Sequence, residues 1–367
     1  MIPINAPQID EREIEAVVKV LKSGVLTGRV EGGPMVRKFE SEFSKFVRAK
    51  YAVAVNSGTA ALHLSLLAAN VGFGDEVIVP SFTFIATAEV VALVGAKPVF
   101  VDINPETYNI DPEKIEEAIT SKTKALIAVD LYGLPADMKP ISEIALKHGL
   151  ILIEDAAQAH GALYKGKPPG SYADITCWSF YASKNMTTGE GGMLTTNNAE
   201  YADKLRCMRA HGEKEEYMSS MIGHNYRMPE MEAAIGYIQL SKLATFLEKR
   251  RRNAEELTKN LSETEKLQLP MEPKGFKSSW YLYTVRLKNA EASKRNTLVE
   301  KLRKRGVGAA VYYHTPIHLM PYYRQFGAYS LPETEKASQQ VFSLPIHPGV
   351  TLEQIGYISR CVLQLIK

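Results

Sequence analysis

The sequence predicts an α/β fold with a mainly parallel central sheet flanked by helices, on three observations. Apolar runs of strand length recur through the first half of the chain, each followed by a turn and a helix-like segment. Most of these runs are continuous rather than alternating, the pattern of strands covered on both faces. Strand and helix alternate in order, as right-handed crossovers in a parallel sheet require.

Taken in order, the strand candidates are Tyr51–Val55, Glu76–Pro80, Pro98–Ile103, Ala125–Leu131, Leu150–Glu154, Ile175–Phe180 and Gly192–Thr196. Helical spacing falls between them at Ala60–Ala69, Pro112–Ile119 and Pro140–His148. Near residue 240 the texture changes. A charged helix from Leu240 to Leu261 leads to strands at Tyr281–Leu287 and Gly308–Tyr313 and an amphipathic helix at Leu352–Ile366. The expected division is a large domain over residues 1–245 and a smaller C-terminal α/β domain over 246–367. Sheets of this class bind ligands at the carboxyl ends of their strands.

Composition narrows the partners. The 367 residues carry 44 basic and 41 acidic side chains, a net charge of +3 that makes no case for nucleic acid. The run Lys249–Arg252 lies in a charged stretch and reads as a solvated helix face. The first residues lack a basic segment followed by an apolar one, and no apolar run reaches the roughly 18 residues of a membrane span. Cys177, Cys207 and Cys361 match no zinc spacing and read as reduced thiols, so a cytoplasmic protein without a metal is expected.

Four local features carry chemistry. Asn56-Ser57-Gly58-Thr59 ends the first strand and opens a helix, offering N–H groups and the positive end of the dipole to a phosphate. An ordinary helix cap reads the same way. The dinucleotide fingerprint Gly-x-Gly-x-x-Gly is absent, which counts against a nicotinamide cofactor. Asp155 follows an apolar strand, where a carboxylate needs a cationic partner such as a pyridinium nitrogen, a helix start or a metal. Lys184 sits in the small-residue loop 181–192 between two strands, where an amine is positioned to attack a carbonyl. Phe84, at a strand exit, suits either stacking on a planar ring or core packing.

In this order, the features resemble the DegT/DnrJ/StrS family of sugar aminotransferases, of the aspartate-aminotransferase fold type I. The resemblance rests on Ser57-Gly58-Thr59-Ala60-Ala61-Leu62, Glu154-Asp155-Ala156-Ala157-Gln158-Ala159-His160-Gly161, Ser179-Phe180 through Lys184 to Gly192, and Asn225-Tyr226-Arg227-Met228. It runs from Gly24-Val25-Leu26-Thr27-Gly28 to Ser343-Leu344-Pro345. It implies pyridoxal 5′-phosphate bound as a Schiff base to Lys184, with Asp155 on the pyridine nitrogen. Gln158 would lie near the ring face or its phenolic oxygen, Phe84 would stack on the other side, and Gly58, Thr59 and Ser179 would hold the phosphate. Asn225 would reach the phosphate of a neighbouring subunit, making a homodimer with shared sites. Tyr313, His318, Arg227 and Arg29 are candidates for the substrate.

The implied reaction moves an amino group from glutamate to a nucleotide-linked keto sugar, a 4-keto-6-deoxyhexose on the look of the stretch 223–240. A sugar dehydratase of the same fold carries histidine in place of this lysine, and a regulatory protein would be free to lose the site. Here Lys184, Asp155 and the Ser57-Gly58-Thr59 turn are all present.

Overall fold

The computed structural model of the chain describes residues 1–215 and 217–366. Seven strands form the central sheet: β1 (Tyr51–Val55), β2 (Glu76–Pro80), β3 (Lys97–Val101), β4 (Thr123–Val129), β5 (Ile151–Asp155), β6 (Ile175–Ser179) and β7 (Gly192–Thr196). Their spatial order is β1-β7-β6-β5-β4-β2-β3. The run from β6 to β3 is parallel, while β7 lies antiparallel to both β1 and β6. Every residue of β2, β6 and β7 is buried, as in strands covered on both faces.

The helices of this region are α1 (Glu11–Ser23), α2 (Pro34–Val47), α3 (Gly58–Ala68), α4 (Ala86–Leu93), α5 (Met138–His148) and α6 (Ala199–Arg209). Helix α1 starts because the Asp10 side chain accepts from the Arg12 N–H while Glu13 reaches back to the Asp10 N–H. Such a reciprocal cap satisfies donors that the first helical turn leaves open. Helix α3 is buried almost all round, with Leu62, Leu64 and Leu66 packed against Val55, Cys177 and Leu194. Its N-terminus is thereby held at the strand ends.

Helix α7 (Glu230–Leu261) then runs for 32 residues, through the expected boundary at 245 without a break. It leads to a second, antiparallel sheet of β8 (Leu267–Gln268), β9 (Tyr283–Leu287) and β10 (Val341–Leu344). Helices α8 (Ala292–Lys304), α9 (Pro332–Gln340) and α10 (Leu352–Ile366) accompany it. Its core joins Leu257 and Leu261 of α7 to Tyr283, Val285, Phe342, Ile355 and Val362.

Two expectations are corrected here. No strand forms at Gly308–Tyr313. Only Ala310 pairs with the edge of β10, exchanging backbone bonds with Ser343 at 3.1 and 2.7 Å. Beyond it the chain turns away, the Tyr312 carbonyl accepting from the Tyr132 hydroxyl and the Tyr313 ring packing on Phe82. The basic run on α7 is a solvated face only in part, at exposed Lys249 and Arg252. Arg250 is buried and donates to the carbonyls of Trp280 and Tyr281, while Arg251 grips the Glu272 carboxylate with two bonds of 2.8 Å.

Candidate active site

Asp155 ends β5, and its carboxylate is almost wholly buried. One oxygen accepts from the Thr87 hydroxyl at 3.1 Å and the other from the Ala157 N–H at 3.2 Å. Burial raises its pKa above the ordinary carboxylate value, opposed by the Ala157 N–H, the nearby Lys184 amine and Thr87. No basic side chain is ion-paired to it among the described residues. Gln158, also buried, accepts from the Tyr132 N–H at 2.8 Å. The Tyr313 hydroxyl is kept protonated by burial, with Tyr281 and Asp155 adding to the effect.

One strand over, Ser179 ends β6 beside the start of α3. Ser57 caps that helix by accepting from the Ala60 N–H at 3.0 Å. The N–H groups of Gly58 and Thr59 have no acceptor within the helix, as for any first turn. A Cβ on Gly58 would come 2.7 Å from that of Ser179, so only glycine lets this helix start so close to the strand end. The result is a set of donors suited to an anion. An open pocket of about 390 Å³ adjoins it, lined by Ser57, Thr59, His63, Glu190 and Tyr226. Burial, with the facing His224, pushes the His63 imidazole down to about 4.

Lys184 is half-buried in the loop after β6, where its N–H donates to the Tyr181 carbonyl at 2.9 Å. Its amine lies 4.7 Å from the centre of the Tyr281 ring. Asp155, Gln158, Ser179 and Lys184 thus gather at the carboxyl ends of β5 and β6, with Gly58 and Thr59 against Ser179. Phe84 is exposed at the rim, 6.2 Å from the Tyr313 ring.

The remaining candidates stand apart. Both ring nitrogens of His318 are engaged, Nδ1 with the Ser81 hydroxyl at 2.7 Å and Nε2 with Glu335 at 3.3 Å, in a buried position. Burial lowers its pKa, with Glu335 working against that. Asn225 is exposed and pairs through its backbone with Ala210, and half-buried Arg227 pairs with Val55. Arg29 is exposed, donating to the Tyr217 hydroxyl at 3.1 Å and lying over that ring. Thr87 and Tyr281 were not singled out from sequence. Each meets its partner across a long sequence separation, and only the order of the strands brings them in.

This donor set fits pyridoxal phosphate. A buried carboxylate suits a protonated ring nitrogen, a helix start and a serine suit a phosphate, and the Lys184 amine acts on that carboxylate. Three His, Cys, Asp or Glu groups suited to a metal do not occur together among the described residues. No described helix is long and apolar enough to cross a membrane.

The model of the DegT/DnrJ/EryC1/StrS aminotransferase family matches residues 7–363. A pleiotropic regulatory protein of Geobacillus stearothermophilus is 41% identical over 365 residues, covering 97% of each chain. A GDP-perosamine synthase of Caulobacter vibrioides is 37% identical, covering all of this chain and 98% of its own. A dTDP-3-amino-3,4,6-trideoxy-alpha-D-glucose transaminase of Streptomyces venezuelae is 40% identical over 92% of this chain and 88% of its own. Among solved structures, the PLP form of a putative sugar aminotransferase from Streptococcus pneumoniae superposes with a TM-score of 0.94 at 30% identity. That match spans all of this chain and 98% of the other.

Proposed function

Since the chain belongs to the DegT/DnrJ/EryC1/StrS aminotransferase family, and is a pyridoxal-phosphate-dependent sugar aminotransferase, we propose that it transfers the amino group of glutamate to a nucleotide-linked 4-keto-6-deoxyhexose. The observation that carries the reading is the meeting of Lys184 and Asp155 at one end of the sheet, close enough for the amine to influence the carboxylate.

The bound cofactor supplies an electron sink that stabilises negative charge at the donor Cα. Asp155 holds the ring nitrogen protonated, since a buried carboxylate is best satisfied by a cation. The N–H groups of Gly58 and Thr59 and the Ser179 hydroxyl would hold the phosphate. Gln158 would lie near the ring face or its phenolic oxygen, and Phe84 would stack on the other side. The Lys184 Nζ takes the proton from the donor Cα and, in the second half of the cycle, delivers one to the sugar carbon that becomes the amine carbon. Arg227, Arg29, Tyr313 and His318 belong to the sugar-nucleotide side in this reading, with His318 acting through Ser81 and Glu335 rather than by direct contact.

The working unit is a homodimer, in which Asn225 serves the phosphate held by a second copy of the chain. Its exposed position supports this role. So does an uncovered apolar stripe on α1, Ile14, Val18 and Leu21, continued by Val25 and Leu26.

The test offers UDP-, GDP- and dTDP-linked 4-keto sugars, their 3-keto counterparts and ordinary 2-oxo acids, each with glutamate, and follows 2-oxoglutarate release. Turnover with a 4-keto sugar is expected. Fast exchange among amino acids alone would overturn the substrate and leave only the cofactor chemistry.

A further inference from the structure

We propose that Tyr281 is a positioning residue for Lys184, its ring face holding the free ammonium while the backbone around it fixes the lysine loop. This rests on the reading of Lys184 as the cofactor lysine. The Lys184 Nζ lies 4.7 Å from the Tyr281 ring centre. At that distance the negative face of the ring attracts a cation and is indifferent to a neutral amine. Both neighbours of the lysine are bonded to the same segment. The Ser183 and Tyr281 hydroxyls meet at 2.9 Å, and the Asn185 amide donates to the Ser279 carbonyl at 3.1 Å.

The segment that presents the ring is itself clamped. The Ser279 N–H donates to the Gly133 carbonyl at 2.8 Å, and the Leu282 N–H to the Tyr132 carbonyl at 3.2 Å. From the other side buried Arg250 donates to the carbonyls of Trp280 and Tyr281 at 3.2 and 3.1 Å. Trp280 is held in the left-handed region at φ 52°, a conformation that persists only where its surroundings enforce it. Gly133 has φ +98°, and a Cβ there would come 2.5 Å from the Ser279 hydroxyl and 2.8 Å from the Tyr281 nitrogen. The ring therefore meets the amine on a backbone fixed before the lysine arrives, as a precise site requires.

In the cycle, Lys184 is freed from the cofactor whenever an amino donor takes its place. A freed ammonium could swing toward solvent or toward the Asp155 carboxylate. The Tyr281 face gives it a resting place beside the ring, and the attraction lapses once the amine is neutral and ready to take a proton. Among the described residues, the titratable groups shown to act on it there are Asp155, His160 and Tyr281.

The test uses cofactor-free protein and brief competitive acetylation, with Lys184 quantified against exposed Lys45 by peptide mass spectrometry. Tyr281→Leu should speed Lys184 labelling about threefold to tenfold at pH 8, because the ring no longer favours the cation. Tyr281→Phe keeps the face and should stay within about twofold of wild type. At pH 11, above the ordinary lysine value, the gain of Tyr281→Leu over Tyr281→Phe should vanish, since neither variant carries a phenol and a neutral amine is not drawn to a ring face. Wild-type labelling rates in Tyr281→Leu would overturn the proposal. So would a gain over Tyr281→Phe that persists at pH 11, since it would report access rather than charge. If Tyr281→Leu does not fold, Tyr281→Met fills the space with an adaptable chain and serves instead. Borohydride reduction of the cofactor-loaded protein separates the two readings: label on another lysine overturns both, whereas label on Lys184 with unchanged acetylation rates overturns Tyr281 alone.

Discussion

The hydroxyl of Thr87 donates to a carboxylate oxygen of Asp155 at 3.1 Å, joining the first turn of α4 to the end of β5. With the Ala157 N–H on the other oxygen, the bond aims a buried charge outward from the sheet. Asp155→Asn keeps the shape and loses the charge, and kcat should fall by roughly 10²–10³, the scale of losing one preorganised electrostatic contact. Thr87→Val should cost roughly tenfold to a hundredfold, the scale of a hydrogen bond to a charged group. Stopped-flow measurement of the glutamate half-reaction checks both; activity of Asp155→Asn within tenfold of wild type would remove the role.

Lys184→Arg retains a cation, but guanidinium is not deprotonated in proteins. Turnover should disappear while thermal unfolding stays close to wild type. Visible absorbance of the purified variant reports whether the cofactor is still held covalently, and a retained covalent band would contradict the assignment.

Behind the site, Glu154 is buried beside Asp130, and burial pushes both carboxyls toward the protonated form. Glu154 rises from 4.5 to about 7. Between those values the folded protein keeps a proton that the unfolded chain has released, so stability should fall as pH rises across this window. The Glu154 share is up to about 3 kcal/mol. Urea unfolding at pH 5 and pH 8 measures it. Glu154→Gln should flatten the fall, and an equally steep profile in that variant would place the proton elsewhere.

Arg209 and Glu40 form a buried ion pair, with Glu40 also accepting from the Ala54 N–H at 2.8 Å and Arg209 donating to the Ala54 carbonyl at 2.8 Å. Arg209→Met should destabilise by about 3–5 kcal/mol, because it strands a buried carboxylate. Glu40→Gln added to Arg209→Met should recover part of that loss. Strict additivity of the two changes in denaturant midpoints would deny the pairing.

Asn225→Ala should weaken cofactor retention, seen as faster loss on dialysis, while leaving Lys184 in its own chain reactive. A protein that sediments as a monomer and is fully active would contradict the shared site.

What the sequence made legible followed from locality. Asp155 and Lys184 stand next to strands whose unbroken apolar character marks a central sheet, so their place at its carboxyl edge could be read without coordinates. Glycine at 58 beside a serine likewise announced a helix start open to an anion. Thr87 and Tyr281 were illegible because their partners lie 68 and 97 positions away, and nothing in their neighbours' pattern distinguishes them from packing residues. Arg250 misled for a related reason: a charge on a long helix ordinarily faces water, and only the irregular segment 279–282, with carbonyls free of a sheet ladder, makes burial favourable. The segment Gly308–Tyr313 has strand composition, yet finds room for a single pair on β10.

Helix α7 works as a ruler. Glu230 in its first turn accepts from the N–H groups of Met35 and Val36, Gln239 from Thr187, and further along Arg250 and Asn253 take carbonyls of the segments around Tyr281 and Ile346. Each of these lies at a fixed height and angle on one rod. A single residue inserted between Gln239 and Arg250 would turn everything beyond it by about 100° and move it about 1.5 Å along the axis. The guanidinium would then leave the Tyr281 carbonyl, although no residue near the lysine had changed. Seven inserted residues would restore the angle, but displace the same groups by about 10 Å. An insertion in a loop leaves this spacing intact, whereas one inside the helix does not, and the spacing from residue 230 to residue 253 is as much a part of the site as Lys184.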